Sequence, residues 1–94
     1  MARAIWNDVV LAETDTYEEV DGNVYFPHSS LNKEFFLESD THSTCAWKGV
    51  ANYYHINVAD KQNEDAAWYY PSTKEKAKSI ENLVAFWKGV TVER

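Results

Sequence analysis

In the stretch THSTCAWKG, His42, Cys45 and Lys48 bring an imidazole, the chain's only thiol and an ammonium close together. A cysteine becomes a nucleophile as its thiolate, so it needs a base to take the proton and positive charge to hold the anion. His42 is the candidate base and Lys48 the candidate electrostatic aid. On a helical turn His42 and Cys45 would share a side; on an extended backbone they would point to opposite sides. The competing reading is structural, because a free cysteine is among the residues most often buried simply for packing.

Other chemistries find less support. General acid-base work needs a carboxylate or imidazole held near its proton target. Glu64 and Asp65 precede AAWYY and read as the acidic end of a hairpin, while His55 is expected to face outward or line a shallow cleft. One Cys and three His, at 28, 42 and 55, form no CxxC or HxxxH pair, so no metal site is expected. Gly22, Gly49 and Gly89 are isolated and make no phosphate-cradling loop, and no cofactor is expected.

The aromatic residues carry the stronger signal. Four Trp, six Tyr and four Phe occur in 94 residues, and rings of this kind bury apolar area while keeping a polar edge for a partner. Tyr53, Tyr54, Trp68, Tyr69 and Tyr70 fall on two strands expected to pair, where opposite and diagonal side chains meet. Some must fill the core. The alternating remainder would present rings and hydroxyls to a flat or sugar-like small molecule.

Composition limits the partners. A formal charge of −6 disfavours nucleic acid and anionic lipid, which require a basic patch. The run Lys74, Lys76 and Lys78, with Glu75 among them, is explained by a solvated helix face. Asp8 and Glu13 interrupt the opening MARAIWNDVVLAETD before an apolar segment can develop, so neither a leader nor a membrane span is expected, and a cytoplasmic location is the default. The length suits a single domain over residues 1–94.

Short strands separated by turn residues are the elements that must position these groups. ARAIWNDVVLAET predicts one or two strands broken near Asn7 and Asp8. Asp21-Gly22-Asn23 predicts a hairpin joining Tyr17–Val20 to Val24–Phe26, since these residues accept positive φ at low cost. A turn or one helical turn is expected around Ser29–Glu34, before a strand at Phe35–Glu38. Over Val50–Val58 a period of two puts Val50, Asn52, Tyr54, Ile56 and Val58 on the core face and Ala51, Tyr53, His55 and Asn57 on the other. A connection at Ala59–Gln62 returns the chain to Asp65–Tyr70. Pro71 ends that strand, and Ser72 to Glu75 has the spacing of a capping box for a short helix that turns Ala77 and Ile80 inward. Val84–Trp87 and Val90–Val92, around Lys88-Gly89, read as a closing hairpin. The expected fold is mainly β, with about seven strands and one short helix near Ser72–Ile80, in a small antiparallel sheet that curls around a compact core as a partly open barrel.

Four stretches in order, GNVYFP at Gly22–Pro27, TCAWKGVANYY at Thr44–Tyr54, EDAAWYYP at Glu64–Pro71 and VAFWKGVTVE at Val84–Glu93, cover nearly the whole chain and resemble the bacterial and fungal family called domain of unknown function 427. The family usually carries proline at the position of Ala46, so CPWKG becomes CAWKG here. The resemblance implies a small β-rich domain similar to the β-tent folds, which pack antiparallel sheets against each other. Several β-tent relatives hold zinc through CxxC pairs, which this chain lacks. The family also carries a nucleotidyltransferase label, yet neither a paired-Asp strand nor a glycine-rich loop is visible. Its pattern falls on Tyr25, Pro27, Thr44, Cys45, Trp47, Lys48, Gly49, Tyr53, Trp68, Tyr69, Tyr70 and Pro71, and convergence of these stretches on one concave side is the expectation. The ligand-binding set is then Tyr25, Trp47, Lys48, Tyr53, Trp68 and Tyr70. The expected function is small-molecule binding in an aromatic-lined cleft. The alternatives are a thiol- or lysine-assisted or nucleotidyltransferase-like enzyme, and a structural or protein-interaction module whose partner the sequence does not name.

Overall fold

Residues in the left-handed region of backbone space divide the chain into strands. The computed structural model describes residues 1–94. Asn7 (φ 51°) and Asp8 (φ 63°) close the turn between β1 (Ala2–Trp6) and β2 (Val9–Thr14). Asp21 (φ 54°) and Gly22 (φ 79°) do the same between β3 (Glu18–Val20) and β4 (Asn23–Pro27), with Val20 opposite Asn23. These are the residue types that tolerate positive φ, and the two-residue turns match the twist of the strands they join. The longest strands follow: β5 (Phe36–Cys45), β6 (Gly49–Val58) and β7 (Lys61–Tyr69). Two short strands, β8 (Leu83–Phe86) and β9 (Thr91–Glu93), complete the fold.

The strands form two antiparallel sheets, one in the order β2-β1-β9 and the other β3-β4-β8-β7-β6-β5. The fold is mainly β and not closed into a barrel, as the sequence suggests. Its last connection differs from the expected hairpin. β8 lies between β4 and β7, whereas β9 pairs with β1. Lys88 (φ 54°) and Gly89 (φ 86°) do turn the chain, but from one sheet to the other. The turn is tied to β7, because the Trp87 amide donates to the Ala66 carbonyl (3.0 Å) and Asn63 Nδ2 donates to the Lys88 carbonyl (2.8 Å).

Alternation along β6 and β7 gives the larger sheet two working faces. One face packs Phe26, Ile56, Val58, Ala67, Val84 and Phe86 against Ala2, Ala4, Leu11 and Ala12 of the smaller sheet. The other packs Tyr25, Ala51, Tyr70 and Ala85 under Ala77 and Ile80. Tyr54, Ile56 and Val58 thus follow the predicted core face and Ala51 the opposite one, while Val50 is half-exposed beyond the end of the core. The predicted helix is a 3-10 segment, Glu75–Ile80, that buries Ala77 and Ile80. It begins after Lys74 without a side-chain cap, so the expected Ser72 capping box does not form. The backbone that would build it is used elsewhere: Thr73 bridges to Gly49, and the Lys74 amide donates to the Lys48 carbonyl at 3.1 Å.

Candidate aromatic cleft

The turn between β5 and β6 sets the position of Lys48. Gly49 has φ 121°, and a Cβ there would lie 3.0 Å from the Ser72 carbonyl oxygen, so only glycine admits this close approach. The bridge from Gly49 to Thr73 draws the turn under the segment after Pro71. Lys48 is consequently 8 % exposed, and its ammonium meets Asp21 Oδ2 at 3.0 Å. Burial opposes the Lys48 charge, but the hydrogen bond to Asp21 and the nearby Tyr25 and Tyr70 phenols outweigh it and hold the ammonium above its ordinary value.

Lys48, Tyr53, Trp68, Tyr70 and Trp87 line a cleft of about 140 Å³. Tyr53 and Trp68 face each other across β6 and β7. The Trp68 and Trp87 rings meet edge to face at 5.8 Å and 79°, forming a corner of two indoles. Trp87 Nε1 donates to the Asp65 carbonyl at 2.5 Å, which fixes one wall. Behind Trp68 stands Tyr25, ring centroids 6.3 Å apart; it is fully buried and its hydroxyl has no hydrogen-bond partner. Burial pushes the Tyr70 phenol up, partly countered by Lys48, so it remains a proton donor at neutral pH. The corner can hold a flat ring against an indole, with a phenol and an ammonium available at its edge.

The structure brings four of the sequence-predicted ligand residues, Lys48, Tyr53, Trp68 and Tyr70, to this cleft and places Tyr25 behind it. Trp47 is not on the wall; the residue is 39 % exposed and its ring lies 5.0 Å from Lys48 Nζ. Trp87 is the residue that the sequence reading missed. Its signal was nevertheless present, because WKGV occurs at both Trp47–Val50 and Trp87–Val90. Both copies put a lysine over the preceding indole and a glycine at positive φ.

Cys45 and His42 end up on opposite sides of an extended strand. Ser43 and Cys45 share the face of Ala51 and Tyr53, and the Ser43 and Tyr53 hydroxyls are 2.8 Å apart. His42 bonds through Nδ1 to Asn52 Oδ1 (3.0 Å) on the other face, so no imidazole stands beside the sulfur. Cys45 packs against the cluster containing Tyr25 and Tyr70. The Trp47 amide draws its thiol below the ordinary value despite burial, with further help from the Lys48 amide and ammonium. The turn therefore supplies an anion-stabilising backbone without a base.

His55, Glu64 and Asp65 lie at a bulge in the β6–β7 pairing. Asp65 has φ 52°, its amide donates to His55 Nδ1 (3.1 Å), and its carboxylate accepts from Ser39 Oγ (2.6 Å) and Thr41 Oγ1 (2.9 Å). The hydroxyl of Ser39 is thus given to a carboxylate and not to an imidazole, an arrangement that anchors a bulge instead of activating a nucleophile. No group of three or more His, Cys, Asp or Glu is placed to hold a metal ion, and no helix is long and apolar enough to cross a membrane.

No curated protein matches the chain. A family model described as "Domain of unknown function (DUF427)" matches residues 1–94, and the chain belongs to that family.

Proposed function

We propose that the cleft between Lys48 and Trp87 binds a small molecule with a flat or sugar-like ring. The observation that carries this reading is the two-indole corner of Trp68 and Trp87, with the nearly buried Lys48 on the same wall. A rigid ring platform loses little conformational entropy when a ligand stacks on it. Tyr70 and Lys48 supply direction, since a ring bearing a hydroxyl, carbonyl or anionic group can accept from either. Tyr25, fully buried, backs this wall from behind Trp68.

Titration with a panel of nucleosides and monosaccharides, followed through the indole N–H signals of the four tryptophans, tests the reading. Binding is expected to move Trp68 and Trp87 in a saturable manner and to be lost in Trp68→Ala. Uniformly silent Trp68 and Trp87 signals across both ligand classes would overturn it.

A further inference from the structure

A second constellation lies on the opposite face of the same strands. His28 Nδ1 is 2.6 Å from the Asn82 carbonyl oxygen, which can only accept, so Nδ1 carries a proton. In the neutral ring Nε2 is then an acceptor, and Tyr54 donates to it at 3.1 Å. Tyr54 stacks on Tyr69 at 4.9 Å and 22°, while Tyr69 donates its own proton to Glu38 Oε1 at 2.5 Å. With His28 neutral, the single hydroxyl proton of Tyr54 is committed to the imidazole.

His28, Leu31, Lys33, Phe36 and Tyr54 surround a cavity of about 290 Å³. Leu31 and Phe36 give it apolar walls. Lys33 makes neither a side-chain hydrogen bond nor an ion pair, although most of the chain's other cations have one. A cavity with an uncommitted ammonium, a phenol and apolar walls suits a small ring bearing one negative group.

We infer that this cavity binds a small aromatic carboxylate and that binding draws a proton from solvent onto His28. The protonated ring donates from both nitrogens, Nδ1 to the Asn82 carbonyl and Nε2 to the Tyr54 oxygen. Tyr54 then turns its proton toward the carboxylate, and Lys33 meets the same charge. One proton is taken up for each ligand, with no other bond made or broken.

Four groups stand around His28. Tyr54 on β6 and Tyr69 on β7 face its ring, and Lys33 shares its cavity. Glu38 on β5 reaches it only through Tyr69. No carboxylate hydrogen-bonds to His28, so an incoming anion supplies the charge that a protonated imidazole lacks, and also offsets Lys33. Linkage requires the effect to be reciprocal: if the anion favours protonation, protonation favours the anion.

Benzoate is the probe, used with the full 94-residue chain. NMR is expected to show saturable shifts at the His28 ring and Tyr54, with His28 becoming protonated as benzoate binds. Calorimetry in two buffers of different ionisation enthalpy should report uptake of about one proton. Tyr54→Phe keeps the stacked ring but should weaken binding about tenfold. Lys33→Gln, on the exposed rim, should weaken binding in a protein whose melting temperature is unchanged, so the site remains testable even if Tyr54→Phe disturbs folding. Binding without proton uptake, shifts confined to the Trp68 and Trp87 indoles, or no binding up to roughly tens of millimolar would each overturn the inference. The two clefts lie on opposite faces with separate reporters, so failure of one reading leaves the other standing.

Discussion

Lys48 Nζ stands 3.0 Å from Asp21 Oδ2, joining a lysine side chain that is 10 % exposed to an aspartate that is 59 % exposed. The pair ties the β3–β4 turn to the β5–β6 turn. Asp21→Asn keeps a side chain that tolerates φ 54° but leaves the ammonium without its counter-ion. The variant is expected to lose about 1–2 kcal/mol in urea unfolding at pH 7. The sign of the pH dependence follows from the raised folded-state value of Lys48. Its contribution is fully present below the unfolded value of 10.5 and is lost as pH rises through the higher folded value. Wild type and Asp21→Asn should therefore converge in stability on the alkaline side of pH 10.5, and a gap that stays constant there would count against the pair.

Gly49 permits the approach of Ser72 that buries Lys48. Gly49→Ala meets both a φ of 121° and a backbone oxygen 3.0 Å from the new methyl group. A loss of about 2 kcal/mol or more is expected. Gly22→Ala, at φ 79° with open space around the added carbon, should cost less. Equal thermal shifts for the two variants would refute the close-approach argument.

Cys45 is held by the backbone of its own turn. Its alkylation rate should rise along a titration curve whose midpoint lies below the ordinary value of 9.0. Because the Trp47 amide is the leading cause, Lys48→Met should move that midpoint upward only slightly. His42→Ala should not move it, since His42 is bonded to Asn52 on the other face. A large shift on removing His42 would show that the imidazole reaches the sulfur.

Asp65 anchors the β6–β7 bulge through Ser39 and Thr41. Ser39 first, then Thr41 and the charges of His55 and Lys88, keep its carboxyl below the ordinary value in spite of burial. Its stabilising contribution is thus present above the unfolded value of 3.8 and disappears as pH falls through the lower folded value. Replacing both hydroxyls, with Ser39→Ala and Thr41→Val, should cost about 1–2 kcal/mol at neutral pH. That difference should shrink in acid-unfolding experiments below pH 3.8.

Local chemistry made much of this protein readable. Turn residues such as Asp21-Gly22 fix short connections because the required φ is cheap only for a few side chains, and the period of two along Val50–Val58 separates the two faces of β6. The same alternation assigns Tyr53 and Tyr54, or Trp68 and Tyr69, to different sides of their strands. Long-range pairing was not encoded locally. β8 and β9 are separated by an ordinary turn, yet hydrogen bonds from Trp87 and Asn63 hold that turn on β7 and send the two strands into different sheets. Ser72 to Glu75 carries a capping pattern, but Gly49 and Lys48 claim the backbone first. His28 lies far from Tyr54 and Asn82 along the chain, and only the stacking of β4, β8, β7 and β6 brings them within hydrogen-bond reach. Sequence pattern determines which side of a strand each residue occupies, since that depends on backbone geometry alone. Which strands become neighbours depends on burial and hydrogen bonding summed over the whole fold, and there the tertiary structure decided.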